Sequence, residues 1–280
     1  MNIESLEKNR STQSMFKRLF TDKNFDESKL VTKKGQSVLY DMSGKVIFKM
    51  DNIEVPENWS QLAIDILISK YLRRSGVPGT EHEASVHQVI SRITDTLMNE
   101  GVARNYFNKK EAKVFRDELY LMLFEQKAAF NSPVWFNLGL YHKYDITGKG
   151  GHYYWDFKTN KVEQTTTSYE HPQCSACFIQ SINDDLMDIF KLVQTEAKLF
   201  KFGSGTGTNF SKVRGKNEKI SGGGSSSGLM SFLEVLDRAA GATKSGGTTR
   251  RAAKMVCLDL DHPEIEEFVE WKMKEEKKVQ

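Results

Sequence analysis

Two cysteines in the chain, Cys174 and Cys177, are spaced in a way that could support chemistry. Cysteines at this spacing can form a redox pair or supply half of a zinc site. Zinc needs further ligands, and the sequence offers only His171 nearby, while Cys257 stands alone. On spacing alone, Cys177 is most often a small buried residue in a strand, because free cysteine is among the most frequently buried residue types. The spacing disfavours zinc and leaves the redox and structural interpretations open.

Glycine-rich segments at three places could bring backbone amides close to an anion. Residues 203–209 alternate glycine with small residues, but they are not a P-loop, because no Gly-Lys-Ser/Thr follows. Residues 221–228 have the composition of a flexible loop or linker, and the strong helix pattern after them places their amides near a helix N-terminus suited to phosphate. In residues 245–252, Arg250 and Arg251 could hold a phosphate or carboxylate. A tight turn and a solvated basic turn are the alternatives for the first and third segments.

One serine hydroxyl, that of Ser132, precedes Pro133 in residues 131–137 (NSPVWFN). A residue before proline is held extended, so a stiff turn would aim this hydroxyl. The alternative is simple turn chemistry, with Trp135 and Phe136 in the core.

The composition fits a soluble globular protein and excludes several classes. The 280 residues carry 40 basic and 37 acidic side chains, a net charge of +3 that gives no argument for a nucleic-acid partner. Three cysteines do not make a disulfide scaffold. The start of the chain has no apolar signal region and no apolar run is long enough to span a membrane. We therefore expect a cytoplasmic location and no membrane partner.

The secondary structure that must position these residues is predicted to change along the chain, from an arm and helices to alternating strands and helices. Residues 1–58 are polar and are predicted to form an irregular arm ending near Pro56. Residues 59–130 contain three helix patterns and are predicted to form an all-helical domain, with Gly101 just past the second helix and Asn108 as the N-cap of the third.

Residues 131–280 have α/β texture, with strands and helices in alternation. Residues 141–171 look like an inserted β-hairpin. Strands are predicted at 177–179 and 255–258, the second of them buried. Helices are predicted at 186–200, at 229–240 and from Pro263 onward, with glycine-rich turns or loops between them.

The order and wording of six motifs resemble the large catalytic chains of ribonucleotide reductases. In chain order the motifs are residues 131–135 (NSPVW), 175–178 (SACF), 203–211 (GSGTGTNFS), 227–228 (SG), 246–252 (GGTTRRA) and 261–265 (DHPEI). The resemblance runs from about Val46 to the end. Residues 52–60 (NIEVPENWS) and the insertion at 141–171 resemble the cobalamin-dependent class, class II, in particular.

This resemblance implies a fold and a set of roles. The family fold is a ten-stranded α/β barrel behind an N-terminal helical domain, and this chain would supply the helical domain and the first part of the barrel. Cys177 matches the redox cysteine that reduces the ribose 2′ carbon. The other matched positions are substrate contacts at Ser132, Ala176 and Gly205, effector contacts at Asp184 and Arg214, a first specificity loop at residues 215–228, and a second specificity loop at residues 244–251 that includes Gly246, Gly247, Arg250 and Arg251.

The resemblance also implies cofactors and partners. These are adenosylcobalamin (vitamin B12), a ribonucleotide substrate that is a diphosphate, a deoxynucleoside triphosphate effector, a thiol reductant such as thioredoxin, and a second copy in a homodimer. No metal site and no nucleic-acid partner are expected.

One departure from the family pattern concerns the rest of the active site. The family's thiyl cysteine, the Asn and Glu beside it and the second redox cysteine lie further along than this sequence runs, and nothing after Lys272 can match them. Cys174 is too close to Cys177 to replace the partner easily, and Cys257 is better interpreted as a buried strand residue. We therefore expect a fragment, truncated product or split-gene piece that is inactive without the C-terminal part of the reductase, in cis or in trans. The alternatives are a non-catalytic nucleotide-binding regulatory module and a class I relative.

Overall fold

The computed structural model describes residues 16–243 and 252–279. Their contacts divide the chain into two compact units, Met1–Gln173 and Cys174–Gln280, and each is considered by itself. The sequence placed the start of the α/β part near residue 131. In the structure, residues 131–173 and the hairpin that they contain belong to the first unit instead.

The first unit opens with an antiparallel β-hairpin of β1 (Thr32–Tyr40) and β2 (Val46–Pro56). The prediction of an irregular arm is therefore wrong over these residues. The reason lies in the burial: Ile53 and Val55 at the end of β2 are buried, whereas the other large side chains of the two strands are exposed or half-buried. A strand that buries so few side chains carries little of the alternating pattern by which strands are recognised.

Helices follow where the sequence predicts them. They are α1 (Gln61–Ile66), which continues as a π-helical turn at Leu67–Tyr71, then α2 (Val86–Ala103) and α3 (Lys109–Phe124). The Asn108 side chain accepts the amides of Lys110 and Glu111, and the Glu111 carboxylate accepts the amide of Asn108. This capping box confirms the predicted start of α3.

Gly101 lies inside α2 rather than just past its end, so the predicted C-terminus of this helix is wrong. A Cβ on Gly101 would lie 2.1 Å from the ring of Phe107, which packs against the helix at this point. The glycine therefore makes room for an aromatic ring. The left-handed residue after the helix is Asn105, at φ 55°.

The remainder of the first unit contains two short helices, α4 (Ser132–Asn137) and α5 (Leu140–Tyr144), and a second hairpin. That hairpin pairs β3 (Tyr153–Asp156) with β4 (Lys161–Gln164), as predicted for the insertion. Its turn contains Asn160 in the left-handed region at φ 52°, which asparagine tolerates better than most residues.

The second unit is a parallel three-stranded sheet in the order β5 (Cys177–Gln180), β6 (Gly205–Asn209), β7 (Lys254–Cys257). Helix α6 (Leu186–Lys201) links β5 to β6, α7 (Leu229–Ala242) lies between β6 and β7 in the chain, and α8 (Ile265–Val279) follows β7. A buried cluster unites the helices, and it includes Ile189, Leu192, Phe210, Leu229, Leu233 and Leu236. The predicted α/β class is confirmed for this unit.

Three details of this unit differ from prediction. Gly203, at φ 83°, does end α6, but Gly205–Asn209 is the central strand rather than part of a turn. Strand β7 is present but not buried, since Met255 is 61% exposed and Cys257 is exposed as well. Helix α8 begins at Ile265, two residues after Pro263. Among the described residues, no helix is both long and apolar enough to cross a membrane.

Candidate functional site

One face of the three-stranded sheet is open, and Cys177 lies on it. Cys177 and Ile179 of β5 are both exposed, and they pair with Gly205 and Gly207 of β6, which carry no side chains. Met255 of β7 is the exposed neighbour on the other side. Because side chains alternate along strands, these residues share one face. Gly205 and Gly207 lie between these side chains and are themselves buried, and the Met255 side chain reaches over Gly207.

Three of the residues predicted to contact substrate are adjacent in this sheet: Ala176, Cys177 and Gly205. The Gly205 amide donates to the Ala176 carbonyl at 2.7 Å, and Cys177 is the register partner of Gly205. A Cβ on Gly205 would lie 3.2 Å from the carbonyl oxygen of Ala253. A side chain at this position would crowd the backbone of β7 beside the thiol.

The same backbone bonds overturn one expectation for this segment. The amides of Gly205 and Thr206 donate to the carbonyls of Ala176 and Ala253 at 2.7 and 3.0 Å. These amides are used in the sheet, so they cannot cradle an anion as the glycine pattern suggested.

The three cysteines are free thiols in different surroundings. Cys257 shares the open face with Cys177 but lies two strands away and four residues further along. Strand geometry separates their Cα atoms by about 16 Å, whereas a disulfide needs roughly 4.4–6.8 Å. The predicted burial of Cys257 is wrong, but the doubt about its pairing with Cys177 is supported.

Cys174 differs from Cys177 in burial. Burial raises the pKa of the Cys174 thiol to about 11, because a thiolate loses its hydration there. The nucleophilic form of Cys174 is therefore scarce near neutral pH. Within the described residues no group of three or more His, Cys, Asp or Glu side chains is placed to hold a metal ion.

Ser132 lies in the first unit, at the start of α4, and its Oγ is 3.1 Å from the Tyr71 hydroxyl. Arg92, which is fully buried, holds α4 in place by donating to the Trp135 carbonyl at 3.0 Å. Arg92 is itself paired with the buried Glu83 at 2.8 Å. The other substrate residues belong to the second unit, so the grouping of Ser132 with them rests on the sequence motif. Sequence reasoning missed Arg92 and Glu83, which carry no local motif.

The two predicted effector residues, Asp184 and Arg214, meet although 30 positions separate them in the sequence. Arg214 Nε lies 2.5 Å from Asp184 Oδ2, and the Arg214 amide donates to Oδ1 at 3.2 Å. Arg214 Nη1 also donates to the Lys219 carbonyl at 3.1 Å. Each side chain of the pair is about a third exposed (30% and 32%), so a ligand can reach it.

The first specificity loop is a small hairpin rather than a flexible linker. Asn217 donates to the Ser226 carbonyl at 3.0 Å, Ser226 to the Glu218 carbonyl at 2.8 Å, and Ile220 to the Gly224 carbonyl at 3.0 Å. The loop ends at α7, where the sequence suggested a phosphate cradle. There the Leu229 amide already donates to the carboxylate of Glu264, so it is not free to bind a phosphate.

The four named residues of the second specificity loop, Gly246, Gly247, Arg250 and Arg251, lie outside the described residues. Their roles stay predictions.

Comparison with known proteins identifies the family. The family model described as class II vitamin B12-dependent ribonucleotide reductase matches residues 33–126. The model described as the ribonucleotide reductase barrel domain matches residues 175–280. The chain belongs to the class II ribonucleotide reductases. The alternative of a class I relative is therefore wrong.

Several vitamin B12-dependent ribonucleotide reductases are similar to the chain. That of Bradyrhizobium diazoefficiens is 50% identical, over 84% of this chain and 22% of its own length. That of Rhodopirellula baltica is 48% identical, over 87% of this chain and 24% of its own length. A vitamin B12-dependent ribonucleoside-diphosphate reductase of Thermoplasma acidophilum is 37% identical over 41% of this chain and 15% of its own length. The chain thus spans less than a quarter of the length of the Bradyrhizobium and Rhodopirellula reductases, 22% and 24% respectively.

The cofactor of this family is adenosylcobalamin. Three cavities in the described part measure about 380, 450 and 450 Å³. Such volumes suit a drug-sized ligand and are too small for a corrin ring with its adenosyl group. The residues that line these three cavities do not fit the cofactor, and we assign none of them to it.

Proposed function

We propose that this chain supplies a redox thiol, part of the substrate surface and the effector site of an enzyme that reduces ribonucleotides to 2′-deoxyribonucleotides for DNA synthesis. The observation that carries this proposal is the exposed Cys177 thiol, whose partner on the neighbouring strand, Gly205, adds no side chain to the same face. A ribose laid over side-chain-free backbone can approach the thiol closely. The substrates are ribonucleoside diphosphates, as in the names of the relatives from Thermoplasma acidophilum and Mycobacterium tuberculosis.

The reaction that this assigns to Cys177 is a two-electron reduction at the ribose. The bond between C2′ and its oxygen breaks, the oxygen leaves as water, and a hydrogen takes its place on C2′. Two thiols lose two electrons and two protons and become a disulfide, which a dithiol reductant such as thioredoxin reduces again. A thiyl cysteine outside this chain would remove the 3′ hydrogen, and adenosylcobalamin bound by the assembled enzyme would supply the radical chemistry that generates it.

Cys177 needs a partner thiol that this chain does not offer in a usable place. Cys257 is too distant, and burial keeps Cys174 protonated. The partner and the thiyl cysteine are therefore supplied by further reductase sequence, in cis or in trans. The effector is a deoxynucleoside triphosphate bound at Asp184 and Arg214, with Ser132 and Ala176 as further substrate contacts. The assembly is a cytoplasmic homodimer.

The test compares two cysteine variants in the assembled reductase with a dithiol reductant. Cys177→Ser should abolish multiple turnover, because the disulfide cannot form without it. Cys174→Ser should retain most of the activity, and it is the matched control because it removes a neighbouring thiol. Formation of deoxyribonucleotide over many cycles is the measurement. Equal loss in both variants would favour a Cys174–Cys177 pair and overturn the assignment.

A further inference from the structure

The segment between β7 and α8 contacts both ends of the first specificity loop. His262 and Glu264 in this segment are nearly fully buried, at 6% and 7% exposure. His262 Nδ1 accepts the Glu264 amide at 3.1 Å, so Nε2 carries the proton and donates to the Val213 carbonyl at 2.8 Å. Val213 immediately precedes Arg214. His262 therefore fixes the backbone at the N-terminal end of the loop.

The base of the loop also packs directly on this segment. A Cβ on Gly215, the first residue of the loop, would lie 3.0 Å from the Cβ of Pro263. Gly215 is buried, whereas the residues from 216 to 225 are exposed. The loop thus has a fixed, buried base and an exposed hairpin tip.

Glu264 holds the C-terminal end of the loop. Its Oε2 accepts the amide of Leu229, the first residue of α7, at 2.7 Å. A Cβ on Gly228 would lie 2.5 Å from Glu264 Oε1 and 2.9 Å from the Cβ of Lys216. Gly228 also has a φ of 89°, so glycine is required on both grounds. The carboxylate, the turn and the two loop ends form one tightly fitted contact.

The charge of Glu264 has a second consequence. A carboxylate at the N-terminus of a helix interacts favourably with the helix dipole and occupies the place where an anion would bind. A phosphate arriving at α7 would meet this negative charge. The effector phosphates are therefore left to the cations around Arg214 rather than to the amides of α7.

We propose that Glu264 and His262 are positioning residues that lock the base of the first specificity loop to the segment between β7 and α8. The inference rests on the proposed function, since it concerns how the effector site is held.

Hydrogen–deuterium exchange on the 280-residue chain without nucleotide tests the locking. In Glu264→Ala, the amides of Asn217, Ile220 and Ser226 should exchange about tenfold faster, or about 1.4 kcal/mol, while those of α6 keep their rates. Glu264→Gln retains an acceptor for the Leu229 amide and should restore much of the protection. Glu267→Ala, an exposed change three residues further along in α8, is the matched control.

Unchanged exchange in Glu264→Ala, or equal acceleration in Glu267→Ala, overturns the proposal. If Glu264→Ala does not fold, His262→Gln, which weakens the contact at Val213, is measured in the same way with the same expected result. Binding of dATP, dGTP and dTTP is then titrated, and Glu264→Ala should weaken it about tenfold. A wild-type chain that binds none of the three contradicts the proposed function, and the exchange data still decide the positioning role.

Discussion

At the residue scale, Cys174 and Cys177 are distinguished by their surroundings rather than by their spacing. Spacing alone allowed a redox pair, a structural role or half a zinc site. In the structure Cys177 is exposed and is the first residue of β5, whereas Cys174 is partly buried and lies three residues before the strand. The identity of the candidate redox thiol came from the motif, and its accessibility could come only from the fold.

We expect iodoacetamide to modify Cys177 and Cys257 well before Cys174 in the folded chain at pH 8. With a pKa of about 11, Cys174 has roughly a thousandth of its thiol ionised at that pH. Because burial raises the folded pKa, the neutral thiol contributes stability below the unfolded value, and this contribution is lost as pH rises toward about 11. Peptide mass mapping across pH measures the order. Alkylation of Cys174 at pH 8 as fast as that of Cys177 would contradict it.

Arg214→Ala should weaken binding of a deoxynucleoside triphosphate without greatly changing basal reduction. The substitution removes the cation that pairs with Asp184 and donates to the Lys219 carbonyl. It also removes the charge-assisted contact that we propose Arg214 makes with the effector. A loss of roughly tenfold in affinity is expected, measured by calorimetry. Arg238→Ala, an exposed arginine on α7, is the control. Unchanged affinity in a folded Arg214→Ala protein counts against the effector site.

At the element scale, helices were predictable and glycine-containing strands were not. The capping box at Asn108 and the stripe of α2 are local signals, so they survive in the fold. Strand β6 contains Gly205 and Gly207 and has no apolar alternation. It exists because β5 and β7 pair with it on both sides, and such pairing cannot be seen in a local window of sequence.

A buried ion pair ties these elements together, and its removal should destabilise the second unit. Glu196 of α6 accepts from Lys254 of β7 at 2.9 Å and from Thr206 of β6 at 3.1 Å. Burial lowers the pKa of Lys254, and Glu196 acts against that effect. Lys254→Met leaves a buried carboxylate unpaired and should cost about 3 kcal/mol.

Denaturant unfolding of the chain measures this loss. The double variant Glu196→Leu with Lys254→Met removes both charges, so it should recover most of the stability. A Lys254→Met variant as stable as the wild-type chain would show that the pair contributes nothing across the sheet.

At the scale of the whole molecule, the family could be read from six short motifs, whereas the division into units could not. The motifs mark residues around a site, and they say little about where one compact unit ends. Residues 131–173 carry the NSPVW motif, yet their contacts lie with the first unit. The sequence therefore grouped Ser132 with Cys177 by function, while the structure assigns them to different units.

The cysteine inventory also has a consequence for the whole molecule. Reduction needs a thiyl cysteine and a thiol pair, and of the three cysteines here only Cys177 matches a member of that set in the family motif. We expect the 280-residue chain alone to produce no deoxyribonucleotide over repeated cycles, even with adenosylcobalamin, effector and dithiothreitol. Steady turnover by a pure preparation would assign a catalytic role to Cys174 or Cys257.

The most direct test exchanges this chain for the matching segment of the Bradyrhizobium diazoefficiens reductase, which is 50% identical to it. The chimera is supplied with adenosylcobalamin, a ribonucleoside diphosphate and a dithiol, and deoxyribonucleotide is measured over many cycles. We predict sustained turnover that Cys177→Ser abolishes and Cys174→Ser largely spares. A folded chimera that makes no deoxyribonucleotide, or one whose turnover survives Cys177→Ser, would contradict the account.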